Sequence, residues 1–243
     1  MKPKPTFRIT YLIAIFIILV GLSSCMDEIF VKGNGHLQTQ NRSISGFEAV
    51  SSSGSYHVSI VPGENFSVEV HAESNLLPYI ETNLSGKTLK IGTNGIHSIK
   101  ENFPIEVFIT QPKLSGLNLS GSGFIKAESF VSDNFEIGLS GSGEVNTSVN
   151  AKKINVHISG SGSIILAGES SESDFRISGS GKIKAYDLIQ ENCQTSISGS
   201  GDIYVNVSKS LYAGISGSGN VFYIGYPSVN ASISGSGQVV AKN

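Results

Sequence analysis

Leu119-Ser120-Gly121-Ser122-Gly123-Phe124-Ile125 is the first full copy of a pattern that returns six more times. The Ser-Gly-Ser-Gly tetrads begin at Ser120, Ser140, Ser159, Ser178, Ser198, Ser216 and Ser234, at intervals of 20, 19, 19, 20, 18 and 18 residues. A flexible Gly/Ser linker has no fixed apolar partners, and here every copy has them. The residue before each tetrad is Leu119, Leu139, Ile158, Ile177, Ile197, Ile215 or Ile233, and two residues after it stands Ile125, Val145, Ile164, Ile183, Ile203, Val221 or Val239. Strand side chains alternate between faces. The pattern therefore reads Ile158 in, Ser159 out, Gly160 in, Ser161 out, Gly162 in, Ser163 out and Ile164 in. A fixed period near 19 residues marks a repeat architecture.

One unbroken strand per copy would be far too long, so each copy must bend, and glycine is the residue that permits a sharp bend. Whether the tetrad is a continuous strand over a thin interior or a strand turning a corner stays open. A unit of this size fits one coil of a parallel β-helix, with copies stacked about 4.8 Å apart, aliphatic ladders inside and serine ladders outside. Seven such coils make a rod about 30 Å long. A roll or barrel of hairpins also fits the spacing. The stacked reading is favoured because the tetrad stays fixed while length varies elsewhere. Phe130, Phe135, Ile137, Ile154, Val156, Phe175, Leu188 and Ile189 are expected to fill the remaining inward positions.

Residues 46–115 carry strand alternation without the repeat, as in Tyr56-His57-Val58-Ser59-Ile60 and Ile105-Glu106-Val107-Phe108-Ile109, with a short helical turn expected over Asn75–Ile80. A solenoid needs a cap over its first open edge. Residues 46–115 are expected to supply that cap and the first irregular coils, with Ser52-Ser53-Gly54-Ser55 as an early, degenerate copy, and residues 116–243 the solenoid proper. The last coil should present an open edge flanked by Lys242 and Asn243, a place for self-association.

The first 24 residues read as an address. Lys2, Lys4 and Arg8 precede an apolar run from Ile9 to Leu22, which at about 14 residues suits a secretory signal and is short for a stable membrane span. Leu22-Ser23-Ser24-Cys25 resembles the lipobox of bacterial lipoproteins, which makes Cys25 the acylated first residue of the mature chain and its membrane anchor. Residues 25–45 follow as a tether, and Met26-Asp27-Glu28 resembles a surface-export signal. Removal of residues 1–24 leaves 14 basic against 19 acidic residues, a charge of −5. Such a chain offers no basic field to nucleic acid. Once Cys25 is acylated, Cys193 stands alone and is expected in the core.

Chemistry is sparse. His36, His57, His71, His97 and His157 show no metal-ligand spacing. Gly199-Ser200-Gly201-Asp202 suggests a calcium repeat, but the equivalents of Asp202 are Phe124, Glu144, Ser163, Lys182, Asn220 and Gln238, so the carboxylates do not recur. Asp133, Asp174, Asp187 and Asp202 form no catalytic pair by position. No cofactor, metal or catalytic residue is expected. What remains is a pair of hydroxyl ladders: Ser120, Ser140, Ser159, Ser178, Ser198, Ser216 and Ser234, and Ser122, Ser142, Ser161, Ser180, Ser200, Ser218 and Ser236. Each hydroxyl both donates and accepts, and the face suits a glycan or an envelope protein. Tyr204, Phe222 and Tyr223 are the candidate apolar anchors.

Gly46-Phe47-Glu48-Ala49-Val50, Val58-Ser59-Ile60, Glu73-Ser74-Asn75-Leu76-Leu77, Leu89-Lys90-Ile91 and the repeated tetrad together resemble the auto-transporter adhesin, head GIN domain family, a domain of unknown function in Bacteroidetes lipoproteins. The resemblance covers about residues 46–241. It implies an all-β, right-handed parallel β-helix-like solenoid in the cell envelope, and it supplies no catalytic residues. The resulting expectation is a non-enzymatic, lipid-anchored envelope protein, of the outer membrane and surface, that adheres, binds or scaffolds. An envelope carbohydrate-active enzyme and a regulatory or sensing lipoprotein are the alternatives.

Overall fold

The tetrad is a corner, and glycine is there because nothing larger fits. A computed structural model describes residues 30–95 and 98–243; residues 1–29, with the signal segment and Cys25, lie outside it, as does His97. In each copy the strand stops at the first glycine, bends over the next two residues, and resumes. Gly54, Gly121, Gly141, Gly160, Gly179, Gly199, Gly217 and Gly235 all have φ between 112° and 130°, a region that L side chains avoid. A Cβ on Gly179 would also meet the Gly160 carbonyl oxygen at 2.6 Å. On the second glycine, Gly181, it would meet Ile158 Cγ2 at 2.6 Å and the Gly162 oxygen at 2.9 Å. Strict alternation therefore fails at one place: in the tetrads from Ser120 to Ser216 the first glycine is half-exposed at the bend, whereas the second, such as Gly162, is buried. The coils are stitched at this corner. The Gly141 carbonyl accepts from both Ser161 N–H (2.9 Å) and Gly162 N–H (3.0 Å) of the next coil.

Eighteen strands follow among the described residues. The amino-terminal part contributes β1 (Phe30–Lys32), β2 (Leu37–Asn41), β3 (Ala49–Gly54), β4 (His57–Pro62), β5 (Ser67–Glu73), β6 (Ile80–Ser85), β7 (Thr88–Thr93), β8 (Ser98–Lys100) and β9 (Glu106–Gln111). The repeat contributes β10 (Gly116–Gly121), β11 (Phe124–Gly141), β12 (Glu144–Gly160), β13 (Ser163–Gly179), β14 (Lys182–Gly199), β15 (Asp202–Gly217), β16 (Asn220–Ile224), β17 (Ser228–Gly235) and β18 (Gln238–Ala241). Each coil thus has a leading wall that runs into the glycine corner and a trailing wall that leaves it. The pairing from β10 to β18 is parallel throughout, with Ser120, Ser140, Ser159, Ser178 and Ser198 in register. The product is a β-solenoid of about seven turns with coils of about 19 residues. Variation in coil length is absorbed away from the tetrads, in register shifts at 127–130, 165–167 and 185–192.

The interior is filled by columns. Ile158, Ile177 and Ile197 are directly stacked and buried, as are Val156 and Phe175 beside them. Each such side chain contributes about 1.5–3 kcal/mol on leaving water. Cys193 lies in the same interior, and burial pushes its thiol well above the ordinary range. Ile189 departs from expectation: it is 55 % exposed, because the irregular pairing at 185–192 turns it outward.

The amino-terminal part closes the stack with antiparallel strands. The hairpin β6–β7 extends the leading wall below β3, while β5 and β2 extend the trailing wall below β9. A 3-10 turn at Leu77–Tyr79 precedes β6. Residues 30–41, expected as part of a tether, are instead paired into this end: β2 lies against β5 and β1 against β8. Buried Glu73 pins the segment. Its carboxylate accepts from the Gly35 N–H (2.5 Å), the Asn102 N–H (2.8 Å) and Asn102 Nδ2 (2.7 Å). At the other end, β17 and β18 each pair on one side only, leaving Val229 and Ile233 39 % and 44 % exposed.

Candidate functional site

Period two along the leading wall places three columns outward in each coil: the first serine of the tetrad, the residue two before it, and the residue four before it. The serine column runs Ser53, Ser120, Ser140, Ser159, Ser178, Ser198, Ser216, Ser234 in continuous register. The predicted serines are thereby brought together and exposed. The second set, from Ser122 to Ser236, sits on the bend itself, also exposed, with backbone N–H groups bonded to the glycine of the preceding coil. None of these hydroxyls bonds to another protein group among the described residues, so their donors and acceptors are free for water or a ligand.

The other two columns escaped prediction. One reads Lys90, Ser51, Asn118, Gly138, His157, Arg176, Ser196, Gly214, Ser232; the other reads Thr88, Ala49, Gly116, Glu136, Asn155, Asp174, Gln194, Tyr212, Asn230. They stand at a constant offset from the tetrad, which is the signal that would have found them. Small residues hollow the face. Around Gly116, Ser51 and Gly138 lies a cleft of about 620 Å³ that reaches from Lys90 to Arg176. A second cleft of about 420 Å³ begins at Asp174 and continues past Gln194 and Tyr212 to Asn230. The two meet at Asp174, so the leading wall carries one long polar trough.

Within the trough Asp174 is engaged by Arg176 in a two-point fork, Nε to Oδ1 at 3.0 Å and Nη2 to Oδ2 at 2.7 Å. Hydrogen bonding to that carboxylate, then its charge, raises the guanidinium above its ordinary range. The next acidic residue in the column, Glu136, is two coils away, about 10 Å at the usual coil spacing. The fork commits the Asp174 carboxylate to a cation. Tyr212 is 43 % exposed, and its ring lies alongside Gly214, where a Cβ would meet Cε1 at 3.7 Å and Oη at 3.9 Å. The missing side chain at Gly214 leaves the ring room to lie against the sheet. Among the described residues, no group of three or more His, Cys, Asp or Glu is placed to hold a metal ion.

The predicted aromatic anchors divide. Tyr204 and Phe222 stack on the outer face of the trailing wall, 5.0 Å between centroids with planes 19° apart, and Tyr186 meets Tyr204 edge-on at 5.5 Å. Lys242 Nζ covers the far face of this ladder, 5.3 Å from the Phe222 centroid. The ring faces are thus spent on one another, and the ladder braces the last coils rather than awaiting a ligand. Burial raises the Tyr186 and Tyr204 hydroxyls above their ordinary range. Tyr223 is half-buried against the core.

A family model described as "Putative auto-transporter adhesin, head GIN domain" matches residues 46–227. A solved structure titled a putative adhesin from Bacteroides fragilis covers 87 % of this chain and 100 % of its own, with a TM-score of 0.83 at 22 % identity, a likeness of fold. A putative lipid binding protein from Parabacteroides distasonis aligns over 88 % of this chain and 100 % of its own at 26 % identity, TM-score 0.75. A putative adhesin from Parabacteroides merdae aligns over the same shares at 25 % identity, TM-score 0.73. No curated protein matches the chain.

Proposed function

The chain belongs to the auto-transporter adhesin, head GIN domain family, and from that premise we propose that it is a non-enzymatic cell-envelope protein that adheres through the outer face of its leading wall. One observation carries the reading: serine hydroxyls in continuous register along the whole solenoid, exposed and with no internal partner among the described residues. A rigid array of unsatisfied donors and acceptors suits recognition of a polar partner. The interior is occupied by aliphatic and aromatic columns, and amides and charges line the surface clefts alongside apolar residues. Both facts favour a polar ligand over an acyl chain. Anchorage follows from the lipobox-like Leu22-Ser23-Ser24-Cys25. A lipid on Cys25 gains about 0.8 kcal/mol per buried CH₂ and would fix the rod to the outer membrane.

The test replaces Ser159, Ser178 and Ser198 together by Lys. These side chains are exposed and unbonded, so the fold should persist, with the unfolding midpoint lowered only modestly by repulsion between the three stacked ammonium groups. Adhesion of cells displaying the protein should fall at least tenfold. Unaltered adhesion with intact fold would overturn the reading. In parallel, Cys25→Ser should move the chain from the membrane fraction to the soluble one.

A further inference from the structure

We propose that the trough on the leading wall is a binding site for a linear, uncharged polysaccharide lying along the solenoid axis. The proposal names the ligand class for the adhesive face and rests on that reading. Three features select the ligand. The first is shape. Thr88 to Asn230 span nine stacked rows, about 38 Å at about 4.8 Å per row. Both clefts open along this one line, so an extended chain fits and a compact solute leaves most of it empty.

The second is charge. The two outer columns of the trough contain the cations Lys90 and Arg176 and the anions Glu136 and Asp174, Lys153 and Glu172 add one charge of each sign to the second cleft, and Arg176 is already neutralised by Asp174. A face built for a polyanion carries unbalanced Arg and Lys, and this one does not. Among and beyond these charges stand neutral groups, Asn118, Asn155, Gln194 and Asn230, whose amides each offer two donors and an acceptor. None has a side-chain hydrogen bond within the described residues. These are the groups that pair with sugar hydroxyls.

The third is Tyr212. One side of its ring runs along Gly214 and much of the rest is in water. A flat, rigid aromatic surface flanked by Gln194 and Asn230 suits the C–H face of a pyranose, with the ring-edge hydroxyls reaching the amides. A peptide is disfavoured on two grounds. Strand addition needs a free sheet edge, whereas here every strand between the ends is paired on both sides. Protein hot spots need apolar pockets filled by large side chains, whereas the side chains that point outward in this trough are mostly amides, hydroxyls and charges, with Tyr212 the one large ring among them.

The full chain is applied to an array of neutral polysaccharides and their oligomers, with dextran sulfate and anionic phospholipid vesicles alongside. The expected result is retention of at least one neutral polysaccharide, affinity rising with oligomer length, and less than a twofold change between 50 mM and 500 mM salt. Tyr212→Ala and Asn155→Ala should each weaken retention at least tenfold with unchanged unfolding midpoints, while Lys209→Ala, on another face, should leave it intact. No retention of any neutral polysaccharide, equal retention by the trough variants, or retention only of dextran sulfate or vesicles would overturn the proposal. A blank array together with loss of adhesion in the triple Ser→Lys variant would sink the polysaccharide and spare the adhesive face. Saccharide retention without adhesion would do the reverse.

Discussion

Gly179 and Ser178 are neighbours with opposite tolerances. Gly179→Ala puts a methyl into a left-handed backbone and 2.6 Å from the Gly160 carbonyl oxygen. Strain of that kind costs about 1–3 kcal/mol, before the coils are pushed apart. Ser178→Ala removes an exposed, unbonded hydroxyl and should stay within about 0.5 kcal/mol of wild type. Urea denaturation of the two variants checks the contrast, and equal midpoints would contradict the corner described for the tetrad. The same residues explain what could be read in advance. Ile158 and Ile177 announced the interior column, because period two puts them inward whatever the coil does next. The half-exposed Gly160 could not be read, because glycine is compatible with strand and corner alike. Ile189 was misplaced because a register shift at 185–192 reverses the face on which it falls. Tyr212 could not be read either, because the surroundings of a side chain four residues before the tetrad emerge only when the coils are stacked.

At the scale of elements, the amino-terminal segment is held by one carboxylate. Burial alone would raise the Glu73 carboxyl, but the Asn102 side chain and the N–H groups of Asn102, Gly35 and Phe103 outweigh it and hold the group below its ordinary range. A carboxyl depressed in the folded state stabilises the fold above its unfolded value of about 4.3. That contribution disappears as pH falls through the lower, folded value. Glu73→Gln should therefore melt earlier than wild type at pH 7, and the gap should narrow steadily below about pH 4. Melting curves between pH 2 and 7 test this, and a gap independent of pH would contradict it. This clasp ties β5 to the segment between β1 and β2 and to the stretch after β8. Nothing in the sequence advertises it, since its partners are 29 and 38 residues away. By contrast, β10 to β18 were legible because each repeats its neighbour.

For the whole molecule, a solenoid whose coils touch only their neighbours should tolerate the loss of one. Excision of residues 163–181 joins Gly162 to Lys182, keeps every remaining tetrad in register and removes a complete coil. The shortened chain should fold, with a rod about 5 Å shorter by X-ray scattering. Excision of half that length should unfold it, because side chains meant for the interior would face water. Folding of both, or of neither, would count against independent coils.

The stack is not assembled in the order of the chain. The coil made by β3 and β4 lies between β7 and β9 on one side and β10 and β11 on the other. It belongs early in the sequence yet needs neighbours on both flanks that come later, the last paired stretch, in β11, reaching Ala127. A polypeptide delivered amino-terminus first therefore cannot lock its opening strands until more than half of it has arrived. Non-local pairing of this kind folds slowly. Were the chain exported as the proposed signal segment requires, that delay would keep its leading portion pliable while transit is under way.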